Sequence, residues 1–505
     1  MFQQLKRLGA DTAIYGLSTI LGRFLNFLLV PFYTNVLIPG DYGIVAYVYS
    51  LIAFVNVLYT YGMESAYFKY ASTLEIGTKK QNFSTPFWAV LGTSVLFSSL
   101  MILLLHAVSA AINLPSHLDR IIYYTAGILA FDAMAIVPFA ALRLERKSKR
   151  FATIKFLNIA ITVILNIILL VLFNQGVEGI FLSGLIASML TFVMLFPTIK
   201  QNITFETNGG LLKSLLLFGL PSIPAGLAAM TMQVIDRPIL RSLTNDTVVG
   251  IYQANYRLGI FMMLVVQMYD YAWRPFYFSI AKESNAKEIF ARVLTYLTLF
   301  MSGVFLVLTF FIEDIVKISL FGRHIIAPAY WDGLNIIPIV LLGYIFLGIS
   351  TNLSAGFYIE KKTKFVPIGT FIGAMVNIVA NYMLIPHFGM IGAAWATLFA
   401  YFAMTISVFI LVERLYPVHY EFTRLMKIGG AVCVVMLLYA LLSTESIILS
   451  VVLKFGLLVL FLFLMYTMRF FEQKELRFLQ SLFLRNRSTT VSAQQEGSFE
   501  DERGV

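Results

Sequence analysis

Stretches of about 20 mainly apolar residues recur fourteen times along the 505-residue chain, and a helix of that length is what crosses the roughly 30 Å hydrocarbon core of a bilayer. They run roughly over 10–34, 42–66, 84–111, 118–142, 152–173, 177–199, 213–235, 248–271, 290–312, 333–357, 365–385, 389–412, 424–442 and 447–469. Composition agrees: 59% of residues are hydrophobic and 13% charged, against about 45–50% and about 25% in soluble domains. A water-soluble enzyme is thereby excluded. The expected fold class is an all-α integral membrane protein of about fourteen transmembrane helices. Lys6 and Arg7 ahead of an apolar run resemble a signal peptide. The run carries Arg23 and Pro31, has no small-residue cleavage site, and is followed by many similar spans, so it reads as the first span.

Cations set the orientation, because cytoplasmic loops collect Lys and Arg. With the N-terminus inside, 29 of the 37 cations fall on cytoplasmic segments, six on outer segments, and two, Arg23 and Arg257, inside spans. An even number of spans puts both termini in the cytoplasm. The excess of ten positive charges is thus explained by topology rather than by nucleic acid. The longest outer loop, about 313 to 332, leaves no room for an extracytoplasmic catalytic domain. Cys433 stands alone and the five histidines are scattered singly, so neither a disulfide, a metal site nor a cofactor is expected. Past the last span, Leu476, Leu479 and Phe483 keep helical spacing among charges, suggesting an interfacial helix, and the Ser/Gln/Glu-rich end from about 488 reads as disordered.

Three pairs of short matches arrive in order along the chain. Tyr15-Gly-Leu-Ser-Thr-Ile20 is answered by Phe218-Gly-Leu-Pro-Ser-Ile223; Glu145-Arg-Lys-Ser-Lys149 by Glu360-Lys-Lys-Thr-Lys364; and Gly176-Val-Glu-Gly-Ile180 by Gly389-Met-Ile-Gly-Ala393. The offsets are 203, 215 and 213 residues. Spans one to six and seven to twelve therefore read as duplicated lobes, residues 1–200 and 201–412, with two added helices in 413–470 and a cytoplasmic tail in 471–505. Halves of six spans share an orientation, as in transporters built from parallel repeats, and leave a cleft that alternating access can open to either side.

The stretch Tyr15-Gly-Leu-Ser-Thr-Ile-Leu-Gly-Arg-Phe-Leu-Asn26, with Pro31-Phe-Tyr-Thr34, Asp41-Tyr-Gly43 and Gly62-Met-Glu-Ser-Ala66, resembles the opening of bacterial polysaccharide and O-antigen flippases of the multidrug/oligosaccharidyl-lipid/polysaccharide exporter superfamily. The resemblance extends over essentially the whole chain. It implies movement of an undecaprenyl-pyrophosphate-linked oligosaccharide from the cytoplasmic to the periplasmic leaflet of the bacterial inner membrane. It also implies a cationic central cavity, contact with membrane lipids, and a polysaccharide polymerase and chain-length regulator as partners. Related lipid II flippases carry arginines in the first and eighth spans, with more in the first than here, which counts against lipid II as cargo.

Arg23 lies about 20 Å into the first span and Arg257 about 14 Å into the eighth, at 1.5 Å per residue. At about 2.5–3.5 kcal/mol for a charge at mid-membrane, each is expected to face a cavity or a partner. Guanidinium groups from opposite lobes would suit a pyrophosphate, which they bind bidentately without losing charge. Asp132, near mid-depth in the fourth span, is the alternative: a structural partner for Arg23, or a proton-exchanging carboxylate. Lys69, Arg143 and Arg274 sit at inner span ends, as entrance cations or plain anchoring charges. Arg274 follows Asp270 by four residues, the spacing of a helical ion pair, and Glu64 and Asp270 are weaker candidates for ion coupling. Asp236 and Arg237, at the outer end of span seven, read as a solvated loop pair or an outer gate. Tyrosines crowd the second and eighth spans, at Tyr42, Tyr47, Tyr49, Tyr59 and Tyr61 and again at Tyr252, Tyr256, Tyr269 and Tyr271. Those at span ends read as an interfacial belt, and those nearer mid-span as faces for sugars.

Three rival functions fit less well. A cation-coupled multidrug exporter of the same superfamily would need deep acidic groups and usually stops at twelve spans. A membrane polysaccharide polymerase or ligase would place catalytic groups in a large outer loop. A scaffold for a glycan-assembly complex has no use for buried arginines.

Overall fold

The computed structural model describes residues 22, 25, 27–320, 322–442, 446–473 and 475. Arg23 and most of the first span lie outside the described residues, as do the proposed interfacial helix and the tail. The fold is all-α apart from a two-residue hairpin that pairs Ser319–Leu320 with Arg323–His324. In chain order the helices are α1 (Phe27–Val36), α2 (Pro39–Thr60), α3 (Met63–Thr73), α4 (Lys79–Leu103), α5 (Leu105–Ala111), α6 (Arg120–Leu144), α7 (Ser148–Ile167), α8 (Gly176–Asn202), α9 (Gly209–Gly219), α10 (Ile223–Val234), α11 (Asp236–Leu243), α12 (Asp246–Leu258), α13 (Ile260–Ile280), α14 (Ala286–Lys317), α15 (Ile337–Leu353), α16 (Ala355–Ile359), α17 (Val366–Glu413), α18 (Phe422–Leu441) and α19 (Ile447–Thr467).

Among the described residues, 11 helical segments are long and apolar enough to cross a membrane, and the pair α12–α13, bent by 43°, makes a twelfth if it is one span. The expected spans 365–385 and 389–412 are joined within α17, where Gly389 (φ 53°, ψ −129°) turns the chain between two helical stretches. Span seven is longer than expected: Ile235 is itself helical, so α10 continues into α11 for two further turns.

The internal repeat is visible as repeated backbone geometry. Arg146 and Lys361, at equivalent places in the matched basic turns, have φ of 55° and 54°. Each turn is closed by the same bonds: the Lys147 amide donates to the Leu142 carbonyl and the Lys362 amide to the Phe357 carbonyl, both at 2.8 Å. Both are left-handed helix C-caps of the kind that satisfy orphan carbonyls. The matched glycines Gly176 and Gly389 have φ of 52° and 53°. Their companions sit where a side chain would collide: a Cβ on Gly179 would lie 3.2 Å from Leu169 Cβ, and one on Gly392 2.5 Å from the Leu384 carbonyl oxygen. The Gly-x-x-Gly spacing thus combines a left-handed turn with close approach to the preceding helix.

The chain divides into two compact units, one comprising the residues up to Ala286 with Ile312–Val418, the other Lys287–Phe311 with the chain from His419. In the second unit, Phe310 of α14 packs on Tyr439 of α18 with ring centroids 4.5 Å apart. Arg424 of α18 donates to the Phe470 carbonyl at 2.9 and 2.7 Å and pairs with Glu475 at 2.6 Å, tying α18 to the end of α19. Burial alone would raise the Glu475 carboxyl; hydrogen bonds from the Tyr296 hydroxyl, the Glu472 amide and Arg424 hold it below its usual range instead.

In the first unit, α2 packs along α12, the equivalent helix of the other half. Their crossing is glycine on backbone in both directions. A Cβ on Gly43 would lie 1.8 Å from the Asp246 carbonyl oxygen, and one on Gly250 1.9 Å from the Pro39 carbonyl oxygen. Both pairs are 207 residues apart in sequence, 43 with 250 and 39 with 246, so a pseudo-two-fold axis runs through the contact. Further hydrogen bonds join the halves near this Pro39 end. Arg241 donates to the Ile112 and Asn113 carbonyls at 2.7 and 3.0 Å, Asn35 to the His324 carbonyl at 2.9 Å, and the Tyr330 hydroxyl to the Leu37 carbonyl at 2.9 Å. A separate set links Ser84, Thr85 and Trp88 of α4 to Asn202, Thr204 and Asn208.

Candidate substrate cavity

The crossing of α2 and α12 decides which side chains meet below it. Asn245 caps α12, its side chain accepting from the Val248 amide at 3.0 Å. Three turns later the helix stops at Gly259, where a Cβ would meet Val340 and Tyr344 side chains at 2.9 and 3.1 Å. Arg257 occupies the last turn before this break. Its side chain borders a cavity of about 700 Å³ that is walled by α2, α3, α6, α7 and α8. A second cavity of about 380 Å³, lined by α2 and by helices of the C-terminal half, shares Ala46, Tyr49, Gln253 and Arg257 with the first. Arg257 is half-buried and forms no ion pair among the described residues. A guanidinium in a cavity with no carboxylate of its own is ready to receive an anion.

Asp132 of α6 opens into the larger cavity, where the Ser188 hydroxyl and the Lys155 ammonium act on its carboxylate. Whether it also pairs with Arg23 lies outside the described residues. Glu64 and Arg143 line the same cavity at the end remote from Pro39, joined at 2.5 Å with 37% and 44% of their side chains exposed. So exposed a pair contributes only about 0–1 kcal/mol, and an arriving anion can compete with Glu64 for Arg143. Lys69, Arg274 and Asp270 border neither cavity. Lys69 lies 4.7 Å from the Tyr70 and Phe218 ring centres. Arg274 makes the helical pair with Asp270 that their spacing predicts, at 2.9 and 2.7 Å.

Two features escaped the sequence reading. Lys155, at the start of the expected span 152–173, is one of the 29 cations counted as cytoplasmic, yet α7 begins at Ser148 and carries Lys155 into the cavity, its ammonium 4.3 Å from the Phe139 ring centre. A signal existed: Lys155, Asn158 and Thr162 form a polar stripe at i, i+3, i+7 on an otherwise apolar helix. The other is the Asp236–Arg237 pair, which is no solvated loop pair. Because α11 continues span seven, the two residues are 3% and 4% exposed and joined at 2.6 Å. Arg237 also donates to Gln253 at 3.0 Å and to the Gln233 carbonyl at 2.6 Å, and lies over the Tyr256 ring, while the Tyr252 hydroxyl donates to Asp236 at 2.5 Å. Asp236→Ala strands the guanidinium in a low-dielectric interior, at a cost of about 3–5 kcal/mol. Asp270→Ala, which opens an exposed pair, costs about 0–1 kcal/mol. Thermal unfolding of the detergent-solubilised protein should separate the two; equal shifts would contradict the burial of the first pair.

A family model described as "Polysaccharide biosynthesis protein" matches residues 34–324, more than half of the chain. The chain belongs to this family. No curated protein matches it individually. Among solved structures, this polysaccharide biosynthesis protein is similar to the lipid II flippase MurJ in an inward closed conformation, with a TM-score of 0.70 and 18% identity over 91% of this chain and 99% of that one. It is also similar to an inward-facing MATE family multidrug transporter of the MOP superfamily, with a TM-score of 0.62 and 14% identity over 78% and 94%. A third is the MATE multidrug transporter DinF-BH, with a TM-score of 0.58 and 18% identity over 81% and 95%. The family member therefore has the all-α membrane fold seen in these flippase and transporter structures, a multi-pass membrane protein whose structural relatives are not enzymes.

Proposed function

We propose that this polysaccharide biosynthesis protein is a flippase. It moves an undecaprenyl-pyrophosphate-linked oligosaccharide repeat unit from the cytoplasmic to the periplasmic leaflet of the bacterial inner membrane, supplying O-antigen or another surface polysaccharide. The observation that carries the reading is the Arg257 guanidinium at the junction of the two cavities, which forms no ion pair among the described residues. Lys155 adds a second cation that the pyrophosphate meets on the way, and Arg143 a third at the mouth. Arg23 is proposed to complete the set from the first span.

With both termini in the cytoplasm, the cation distribution makes the Glu64–Arg143 end cytoplasmic and the Pro39 end periplasmic. The cavity then fills from inside while the glycine crossing holds the outer side shut. Rocking of the lobe formed by 1–200 against the lobe formed by 201–412 exposes the cargo outward, and α18 and α19, in 413–470, are an addition to this two-lobed machinery. A polymerase and a chain-length regulator receive the product. In this cycle Asp132 holds Lys155 in place until the pyrophosphate arrives, and Lys69, Arg274 and Asp270 serve as cytoplasmic anchors.

One observation favours the rival of cation-coupled drug export: Asp132, an acidic group opening into the cavity of the N-terminal half. Deleting the gene and following the lipid-linked glycan distinguishes the two. Glycan accumulating in the inner leaflet, with loss of surface polysaccharide, is the expected outcome. Drug sensitivity with normal surface glycan would replace the flippase reading by the rival.

A further inference from the structure

The smaller cavity has a chemistry of its own. Most of its wall comes from the C-terminal half, with Gln233 and Arg237 from span seven, Gln253 and Tyr256 from α12, Tyr344 from α15 and Tyr401 from α17, and α2 of the N-terminal half adds Tyr49 and Ser50. At about 380 Å³ it is within the roughly 300–1,000 Å³ of small-molecule sites. Arg237 brings no net charge, since Asp236 neutralises it at 2.6 Å. The one uncompensated cation among the described residues of its wall is Arg257, at the junction with the larger cavity.

This arrangement excludes two parts of a lipid-linked cargo. A diphosphate gains little from a guanidinium already paired and hydrogen-bonded in a dry interior. A polyprenyl chain would strip water from two amides and return no hydrogen bonds. A neutral group with hydroxyls at its rim and C–H bonds on its faces fits both features of the wall. The Gln233 side chain is exposed to the cavity and has no hydrogen-bond partner among the described residues, so its amide is available to hydroxyls. The Gln253 amide oxygen is occupied by Arg237 at 3.0 Å, which leaves its NH₂ group as the outward donor. Tyr256, Tyr344 and Tyr401 form a run of rings with centroids 6.4 and 5.9 Å apart, the first pair edge to face and the second tilted; Arg237 covers one face of Tyr256, and aromatic faces left open to the cavity attract C–H bonds.

We infer that this chamber binds the sugar attached directly to the pyrophosphate, with Arg257 at the sugar–diphosphate junction and Gln233 reading the hydroxyl pattern of that sugar. The inference rests on the flippase reading and adds to it the site that selects cargo. Arg257 lies 11 residues beyond Asp246, about 16 Å along the helix from the closed Pro39 end, so the glycan leads and the diphosphate follows.

The test is equilibrium binding by the purified full-length protein of two probes: undecaprenyl pyrophosphate without sugar, and the lipid-linked glycan extracted from a deletion strain. The parent is expected to prefer the glycosylated probe. Gln233→Leu, which keeps the volume and removes the amide, should cut that preference by roughly five- to tenfold, the worth of one or two hydrogen bonds, while leaving affinity for the bare carrier unchanged. Gln233→Ala serves as a second variant, with thermal unfolding as the folding control. Arg257→Ala should weaken both probes. A preference undiminished in both Gln233 variants overturns the sugar chamber, and if Arg257→Ala still weakens both probes the flippase reading survives. No effect of Arg257→Ala on either probe overturns that reading and this inference together. Competition by tetraphenylphosphonium that disappears in Gln233→Leu would assign the chamber to drug binding, and so overturn the sugar assignment.

Discussion

Arg257→Ala is expected to lower export of the native lipid-linked glycan by roughly 10- to 100-fold, the loss of one or two charge-assisted hydrogen bonds at about 1.5–3 kcal/mol. Arg257→Lys should retain part of the activity, because an ammonium keeps the charge but not the bidentate fork. The measurement is glycan remaining in the inner leaflet of cells carrying each variant, normalised to protein in the membrane. Thermal stability should barely change, since Arg257 makes no ion pair among the described residues. That separates it from Arg237, which is built into a buried network and whose loss would act through folding. Parent-level export by a correctly inserted Arg257→Ala protein would remove the central cation from the transport model.

Gly43→Ala and Gly250→Ala should each abolish export, by a different route. The added methyl would stand 1.8 or 1.9 Å from a carbonyl oxygen of the opposing helix. No rotamer relieves that contact, because both partners are backbone. The helices must move apart, so the Pro39 end cannot close as observed and the cycle loses one of its two end states. Closure can be followed directly: a Cβ on Gly40 lies 3.5 Å from the Thr247 hydroxyl, so Gly40→Cys with Thr247→Cys should crosslink in the parent and fail to do so with Gly43→Ala. Gly92→Ala is the control, since nothing lies within 4 Å of its Cβ position, and alanine favours the helix. Normal export by Gly43→Ala would mean that this crossing does not have to close tightly in the cycle.

The membrane fold was readable from the chain because each span is a local property: about 20 apolar residues must be helical in lipid whatever surrounds them. The duplicated turns were readable for the same reason, since left-handed caps at Arg146 and Lys361 and at Gly176 and Gly389 depend on a few neighbouring residues. Arg257 stood out as a charge in an apolar run, and its place at a cavity follows from the cost of leaving it in lipid. The Arg274–Asp270 pair was equally legible, because i,i+4 spacing is enough to bring the groups together.

Other features needed the folded chain. Lys155 falls at the start of the expected span 152–173 and reads as one more cytoplasmic cation, and the Asp236–Arg237 pair falls just past the expected span 213–235, whereas α7 and α11 carry those charges inward as helix. Their partners, Phe139 for Lys155 and Gln253, Tyr252 and Tyr256 for the ion pair, come from other helices. Residues distant along the chain also made the α2–α12 crossing and formed two cavities that meet at Arg257, the smaller of them lined by several tyrosines. Spans and repeated turns are therefore written in local patterns of apolarity and turn geometry. Which charges stay bare and which are neutralised depends on helices meeting in three dimensions, since electrostatic compensation acts through space and leaves no fixed spacing in the chain.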